Sequence, residues 1–140
     1  MRVSTALLTT VLAIVPCGAA LAVCLNGHPS VEQEYRQSSL VFVGRVTAAS
    51  AVHETKSFYE GTRYTIRVEE IFRGRPRRTI TVFSENTSGR FPMDIGVDYL
   101  VFLSVKAGEP AMVDSCGNSG PVSETALAIA TVKHLSHRSR

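Results

Sequence analysis

Two of the three cysteines, Cys24 and Cys116, are the side chains in this 140-residue chain with the most versatile chemistry. A cysteine beside a histidine can be a nucleophile, and His28 follows Cys24 closely. Clustered cysteines and histidines can instead bind a metal ion. Neither cysteine lies in a CxxC spacing, beside a second clustered histidine or in a recognisable catalytic sequence. The pattern therefore favours a structural disulfide between Cys24 and Cys116.

The first 22 residues have the three-part pattern of a signal peptide. Arg2 supplies the positive charge, residues 6–15 are apolar apart from two threonines, and Ala20 and Ala22 are the small residues that signal peptidase requires. The apolar run is too short for a membrane span. We therefore predict a secreted, periplasmic or otherwise extracytoplasmic protein, with residues 1–22 as its signal peptide.

Residues 23–140 then form a single domain whose basic tail is expected to fray from about residue 134. Cys17 is removed with the signal peptide, which leaves Cys24 and Cys116 as an even pair in an oxidising compartment. A bridge between them closes a loop of about 90 residues, for which the chain-entropy treatment gives about 4–5 kcal/mol. A lipid anchor on Cys24 is the alternative use of that cysteine.

Arginines are most concentrated around a predicted turn, at Arg73, Arg75, Arg77 and Arg78. Such a cluster is typical of a solvated turn, or of a patch that binds a polyanion or a membrane surface. The net charge of +3 is too small to indicate a nucleic-acid-binding protein.

No catalytic arrangement is recognisable in the sequence. Glu69 and Glu70 point to opposite faces of a regular strand, and Asp114 is a lone carboxylate near Cys116. The remaining histidines are scattered in a predicted loop and the tail: His53, His134 and His137. We therefore predict a protein that is not an enzyme and that needs no metal ion or cofactor.

Apolar runs and two-residue alternation predict five strands, at residues 40–46, 64–72, 79–84, 97–105 and 111–116. The alternation of apolar and polar residues in the second strand slips by one residue near Phe72, which indicates a bulge. Residues 48–61 are predicted to be a loop. A short helix is expected at residues 30–37.

A second helix is predicted from Glu124, with Ser123 as its N-cap and with Leu127 and Leu135 on its buried face. The chain is thus all-β with flanking helices. Five short strands separated by turns favour a closed or partly closed barrel of the OB type.

Several of these features resemble the tissue inhibitors of metalloproteinases and the wider netrin-like domains. The matching features are Cys24, the His28-Pro29 corner, the strand at 40–46, the sequence GVDYLVF at 96–102, Cys116 and the final helix. The resemblance implies a five-stranded OB barrel and a module that binds a protein partner, with a zinc metalloprotease as one such partner. We also expect the protein to be a monomer.

The resemblance also implies which residues contact the partner. They form what we call the N-terminal edge: Val23, Cys24, Leu25, Asn26, His28 and Pro29. In the inhibitors a first cysteine chelates the protease zinc through its α-amine and carbonyl, but here Ala22 occupies its place and Cys24 matches the second cysteine. Inhibition is thus a narrower hypothesis than partner binding. The alternative is an envelope-associated or lipid-anchored structural protein that binds a membrane or polyanion through the Arg73–Arg78 turn.

Overall fold

The computed structural model describes residues 24, 27–56 and 58–138. In chain order the elements are α1 (Val31–Gln37), β1 (Leu40–Thr55), β2 (Phe58–Arg73), β3 (Thr79–Glu85), β4 (Asp98–Leu103), β5 (Gly120–Pro121) and α2 (Ala126–Arg138). The predicted signal peptide and three residues of the N-terminal edge lie outside the described residues: 1–22, Val23, Leu25 and Asn26.

The five strands form one antiparallel sheet in the order β3-β2-β1-β4-β5. Strand β1 lies at the centre and pairs with β2 along its length and with β4 from Leu40 to Arg45. The sheet is open, so the predicted closed or partly closed barrel is not confirmed by this strand order. An isolated parallel bridge joins Phe83 of β3 to Met112, in the segment after β4.

Strands β1 and β2 make a long hairpin where the sequence predicts a loop at residues 48–61. The pairing continues through Ala49 with Tyr64 and Val52 with Gly61. Nearly every β1 side chain beyond Val46 is exposed. The loop prediction is wrong because a strand with both faces in solvent shows no apolar alternation, although its backbone hydrogen bonds still form.

The bulge predicted near Phe72 is confirmed. Val41 pairs with Arg73 and the next residue, Phe42, pairs with Ile71, so Phe72 is the extra residue of β2. Its side chain is buried, whereas Ile71 is exposed. The bulge thus turns one large side chain of β2 into the core.

The fifth strand differs from the prediction of residues 111–116. The short β5 instead pairs Gly120 and Pro121 with β4. The backbone before it is turned, because the Cys116 and Gly117 N–H groups donate to the side-chain and main-chain oxygens of Asp114. Backbone donors used in such a local turn are not available to a strand ladder.

Side chains on both faces of the sheet are buried, in two clusters. One cluster contains Phe42, Val46, Tyr64, Ile66, Val82, Met93, Tyr99, Val101, Leu103 and Val113. The other lies under the helices and contains Tyr35, Val41, Phe72, Leu100, Phe102 and Val132. Burial on both faces explains why β4 and the first part of β1 are continuous apolar runs.

Helix α2 begins at Ala126, later than the predicted start, and Ser123 is therefore not its N-cap. Val132 is its fully buried residue, whereas Leu127 is 88% exposed. The predicted buried face is wrong at Leu127 because the run ALAIATV offers apolar residues on several sides of the helix. The helix continues to Arg138, beyond the residue where fraying is predicted.

Charged side chains on one surface of the sheet link three neighbouring strands. Arg45 of β1 donates two hydrogen bonds of 2.7 Å to Asp98 of β4 and lies 4.0 Å from Glu69 of β2, which also contacts Arg67 at 2.9 Å. The hydrogen bond from Arg45, and then its charge, lower the pKa of Asp98 below its ordinary value of 3.8.

Asp98→Asn should lower the free energy of unfolding by less than about 1 kcal/mol, because both partners of its ion pair are partly in solvent. A carboxyl whose pKa is lower in the folded state stabilises the fold above its unfolded pKa. We expect that contribution to disappear as the pH falls through about 4 towards the folded pKa. Urea denaturation of wild type and variant at pH 7 and pH 3 measures it, and an equal difference at both values would contradict the assignment.

Candidate partner-binding edge

A disulfide between Cys24 and Cys116 connects the beginning of the domain to the loop between β4 and β5. The two Cα atoms are 5.8 Å apart although the residues are 92 positions apart in sequence. This is the pairing that the sequence favours. Since both sulfur atoms are used in the bridge, Cys24 is not a thiolate nucleophile for His28 to activate.

His28 binds the same loop through its ring. The Nδ1–H group donates to the Cys116 carbonyl oxygen at 2.9 Å. A carbonyl can only accept, so Nδ1 carries a proton and Nε2 is the nitrogen without one in the neutral ring. The exposed ring of His28 therefore has a fixed orientation beside the disulfide.

Asn118 makes the third connection between the N-terminal segment and this loop. Its Nδ2 group donates to the Pro29 carbonyl oxygen at 3.0 Å and to Glu34 Oε2 at 2.7 Å. The backbone N–H of Asn118 donates to the same Oε2 at 2.6 Å. Glu34 is only 9% exposed, so these bonds satisfy a carboxylate that has lost most of its water.

Local structure places Glu34 at this position. Ser30 caps α1 by accepting a hydrogen bond from the Gln33 N–H group, which fixes the start of the helix. One turn later Glu34 faces Gly117, where an added Cβ would overlap the carboxylate. A larger residue at position 117 would therefore displace the Glu34 carboxylate from its donors or move the loop away from α1.

Glu34 and Asn118 were not identified as site residues from sequence, because their contact joins positions 84 apart. A weak signal exists in the sequence GNSG that follows Cys116. A glycine and a small polar residue beside a structural cysteine indicate a tight turn in contact with other backbone. They do not indicate its partner.

The structure separates the four clustered arginines into two groups. Arg73 donates from Nε to the Ser38 carbonyl oxygen at 2.8 Å, and its guanidinium lies 5.3 Å from the centre of the Tyr35 ring. It therefore packs against α1. The exposed members of the predicted polyanion patch are Arg75, Arg77 and Arg78.

The paired carboxylates of β2 do not act together. Glu69 contacts Arg67, and Glu70 contacts Lys133 of α2 at 3.3 Å. Across residues 24, 27–56 and 58–138, no three His, Cys, Asp or Glu side chains are arranged to bind a metal ion. Among the same residues no helix has both the length and the apolar character needed to cross a bilayer.

Neither a protein-family model nor a curated protein matches this chain. The N-terminal edge and its contacts with the loop at 114–119 are therefore the features from which we infer a function.

Proposed function

We propose that this chain is an exported binding module that acts without catalysis and binds a protein partner through its N-terminal edge. We further propose that the open sheet is part of an OB barrel similar to the netrin-like and metalloproteinase-inhibitor domains. The parallel bridge between Phe83 and Met112 supports it, because it brings β3 towards the segment after β4. The disulfide supports an oxidising, extracytoplasmic location.

The observation that carries the proposal is the attachment of residues 24 and 28–29 to one loop at three points. These are the disulfide, the bond from His28 to Cys116 and the bond from Asn118 to Pro29. A segment that is ordered before binding loses less conformational entropy on association, which increases affinity. The edge is exposed at His28, so its fixed surface is accessible to a partner.

A zinc metalloprotease is the specific partner that we propose to test. After cleavage of the signal peptide, Val23 would present its α-amine and carbonyl next to the anchored Cys24, and such a pair can chelate zinc whatever its side chain. The proposed contact surface is thus Val23, Cys24, Leu25, Asn26, His28 and Pro29.

Photo-crosslinking tests the edge without assuming the partner. A photoreactive residue is introduced at position 28 in one variant and at position 77 in a matched control, and each is irradiated in the secreting culture. We expect a specific cross-linked protein from position 28 and none from position 77. Cross-linking from position 77 alone would favour the alternative, a polyanion or membrane contact at the arginine turn.

Protease inhibition is tested with a panel of purified zinc-protease catalytic domains. We expect at least one to bind the wild-type protein, and His28→Ala to weaken that binding about tenfold because a desolvated contact of about 1.4 kcal/mol is lost. Simultaneous Arg75→Ser, Arg77→Ser and Arg78→Ser should leave it unchanged. If no member binds, the protease is not the partner.

A further inference from the structure

A groove of about 760 Å³ lies beside the N-terminal edge, between the loop after Cys116 and the first turn of α2. Its lining is mainly apolar and includes Val31, Phe91, Tyr99, Pro121 and Leu127. Asn118, which anchors Pro29, also lines the groove. One wall of the groove therefore belongs to the structure that positions the edge.

A large apolar side chain is exposed at this groove. Leu127 lines it with 88% of its surface in solvent, and Phe91 lines it half-buried. The core does not need Leu127, because α2 buries Val132 instead. Exposed apolar residues that gather at a concave surface are typical of an interaction site.

The charges at the groove are of one sign. Asp94 and Glu124 line it, and no lysine or arginine is among the described residues that line it. Within the described part of the chain neither carboxylate takes part in an ion pair, whereas Glu69, Glu70 and Asp98 do. Because the whole chain carries a net charge of +3, this acidic lining is a local feature and not a result of composition.

From this apolar lining and its two uncompensated carboxylates we infer that the groove binds an extended segment of a protein partner that carries a lysine or arginine beside a large apolar residue. The apolar residue packs against Phe91 and Leu127, and the cation pairs with the carboxylates. The inference rests on the proposed function, since it assigns chemistry to the same partner. Glu124 lies near the partially positive N-terminus of α2, so Asp94 contributes more to cation binding.

A pair of peptides tests this chemistry in the intact, disulfide-bonded protein. The ¹⁵N-labelled protein is titrated with acetylated and amidated ALKLA or ALELA while amide chemical shifts are followed. We expect ALKLA to shift the amides of residues 117–120 and 126–128, and ALELA to leave them unchanged. Asp94→Asn should raise the Kd about fivefold through the lost ion pair, and Leu127→Ala about tenfold through the lost apolar contact.

Two exposed residues outside the groove provide matched controls. Glu54→Gln and Val105→Ala remove a carboxylate and an apolar surface elsewhere, and neither should change the Kd. The inference is overturned if both peptides bind equally, if the shifts map only to residues 75–78, or if millimolar ALKLA shifts no groove amide.

The groove inference and the edge proposal can be refuted independently. Cross-linking at position 28 together with an unresponsive groove would support the proposed function and refute the groove inference. A groove that responds to ALKLA, together with no cross-link at position 28, would support the peptide site and refute the edge proposal.

Discussion

Replacing both cysteines, Cys24→Ser with Cys116→Ser, should lower the free energy of unfolding by about 4–5 kcal/mol. The bridge spans 92 positions, so it removes a large amount of conformational freedom from the unfolded chain. A domain of this size has a total stability of about 5–15 kcal/mol, so the bridge contributes from about a quarter to nearly all of it. Urea denaturation followed by circular dichroism measures the change.

The reduced wild-type protein is the control for the serine side chains. Reductant should lower the stability of the wild type to that of the double variant and should not affect the double variant itself. Loop closure of this length is expected to contribute several times more than about 1 kcal/mol. If the reduced wild type and the double variant each lost less than about 1 kcal/mol of unfolding free energy, a bridge that constrains the unfolded chain would be contradicted.

Asn118→Ala should lower the free energy of unfolding by about 2–3 kcal/mol, the second largest effect that we expect. The substitution removes the Nδ2 bonds to Glu34 and to the Pro29 carbonyl oxygen. A carboxylate that is nearly buried then retains the backbone N–H of residue 118 but loses a side-chain donor. Leaving a buried charge with fewer partners is costly because water cannot replace the missing donor.

Asn86→Ala is the matched control, since Asn86 is exposed and makes a long bond of 3.4 Å to the Tyr59 carbonyl oxygen. Its effect should be below about 0.5 kcal/mol. Amide hydrogen exchange should also separate the two variants, with faster exchange near Glu34 in Asn118→Ala alone. Equal small effects of the two substitutions would mean that Glu34 finds other donors.

Sequence patterns predicted those elements whose burial produces a strong periodic signal. The apolar run of β4, the alternation of Tyr64, Ile66 and Val68 in β2, and the slip at Phe72 each follow from side chains that enter the core. The β1 arm of the hairpin beyond Val46 gave no such signal, because nearly all of its side chains are exposed although its backbone pairs with β2.

The candidate site was predictable only where covalent chemistry constrained it. Cys24 and Cys116 form an even pair once the predicted signal peptide is removed, so their bridge follows from counting. The contact of Glu34 with Asn118 depends on the tertiary fold and has no local pattern. Leu127 lies at the groove because α2 buries Val132 instead. A helix sequence with apolar residues on several sides does not specify which of them is buried.

The central claim is that the first residues after the predicted signal peptide are covalently attached to the loop after β4. Tryptic mapping of the secreted protein by mass spectrometry, without reductant, tests it most directly. We expect the peptide of residues 23–36 to appear linked to that of residues 107–133, with Val23 at the free N-terminus. Recovery of both peptides unlinked, with Cys24 and Cys116 alkylated, would contradict the claim.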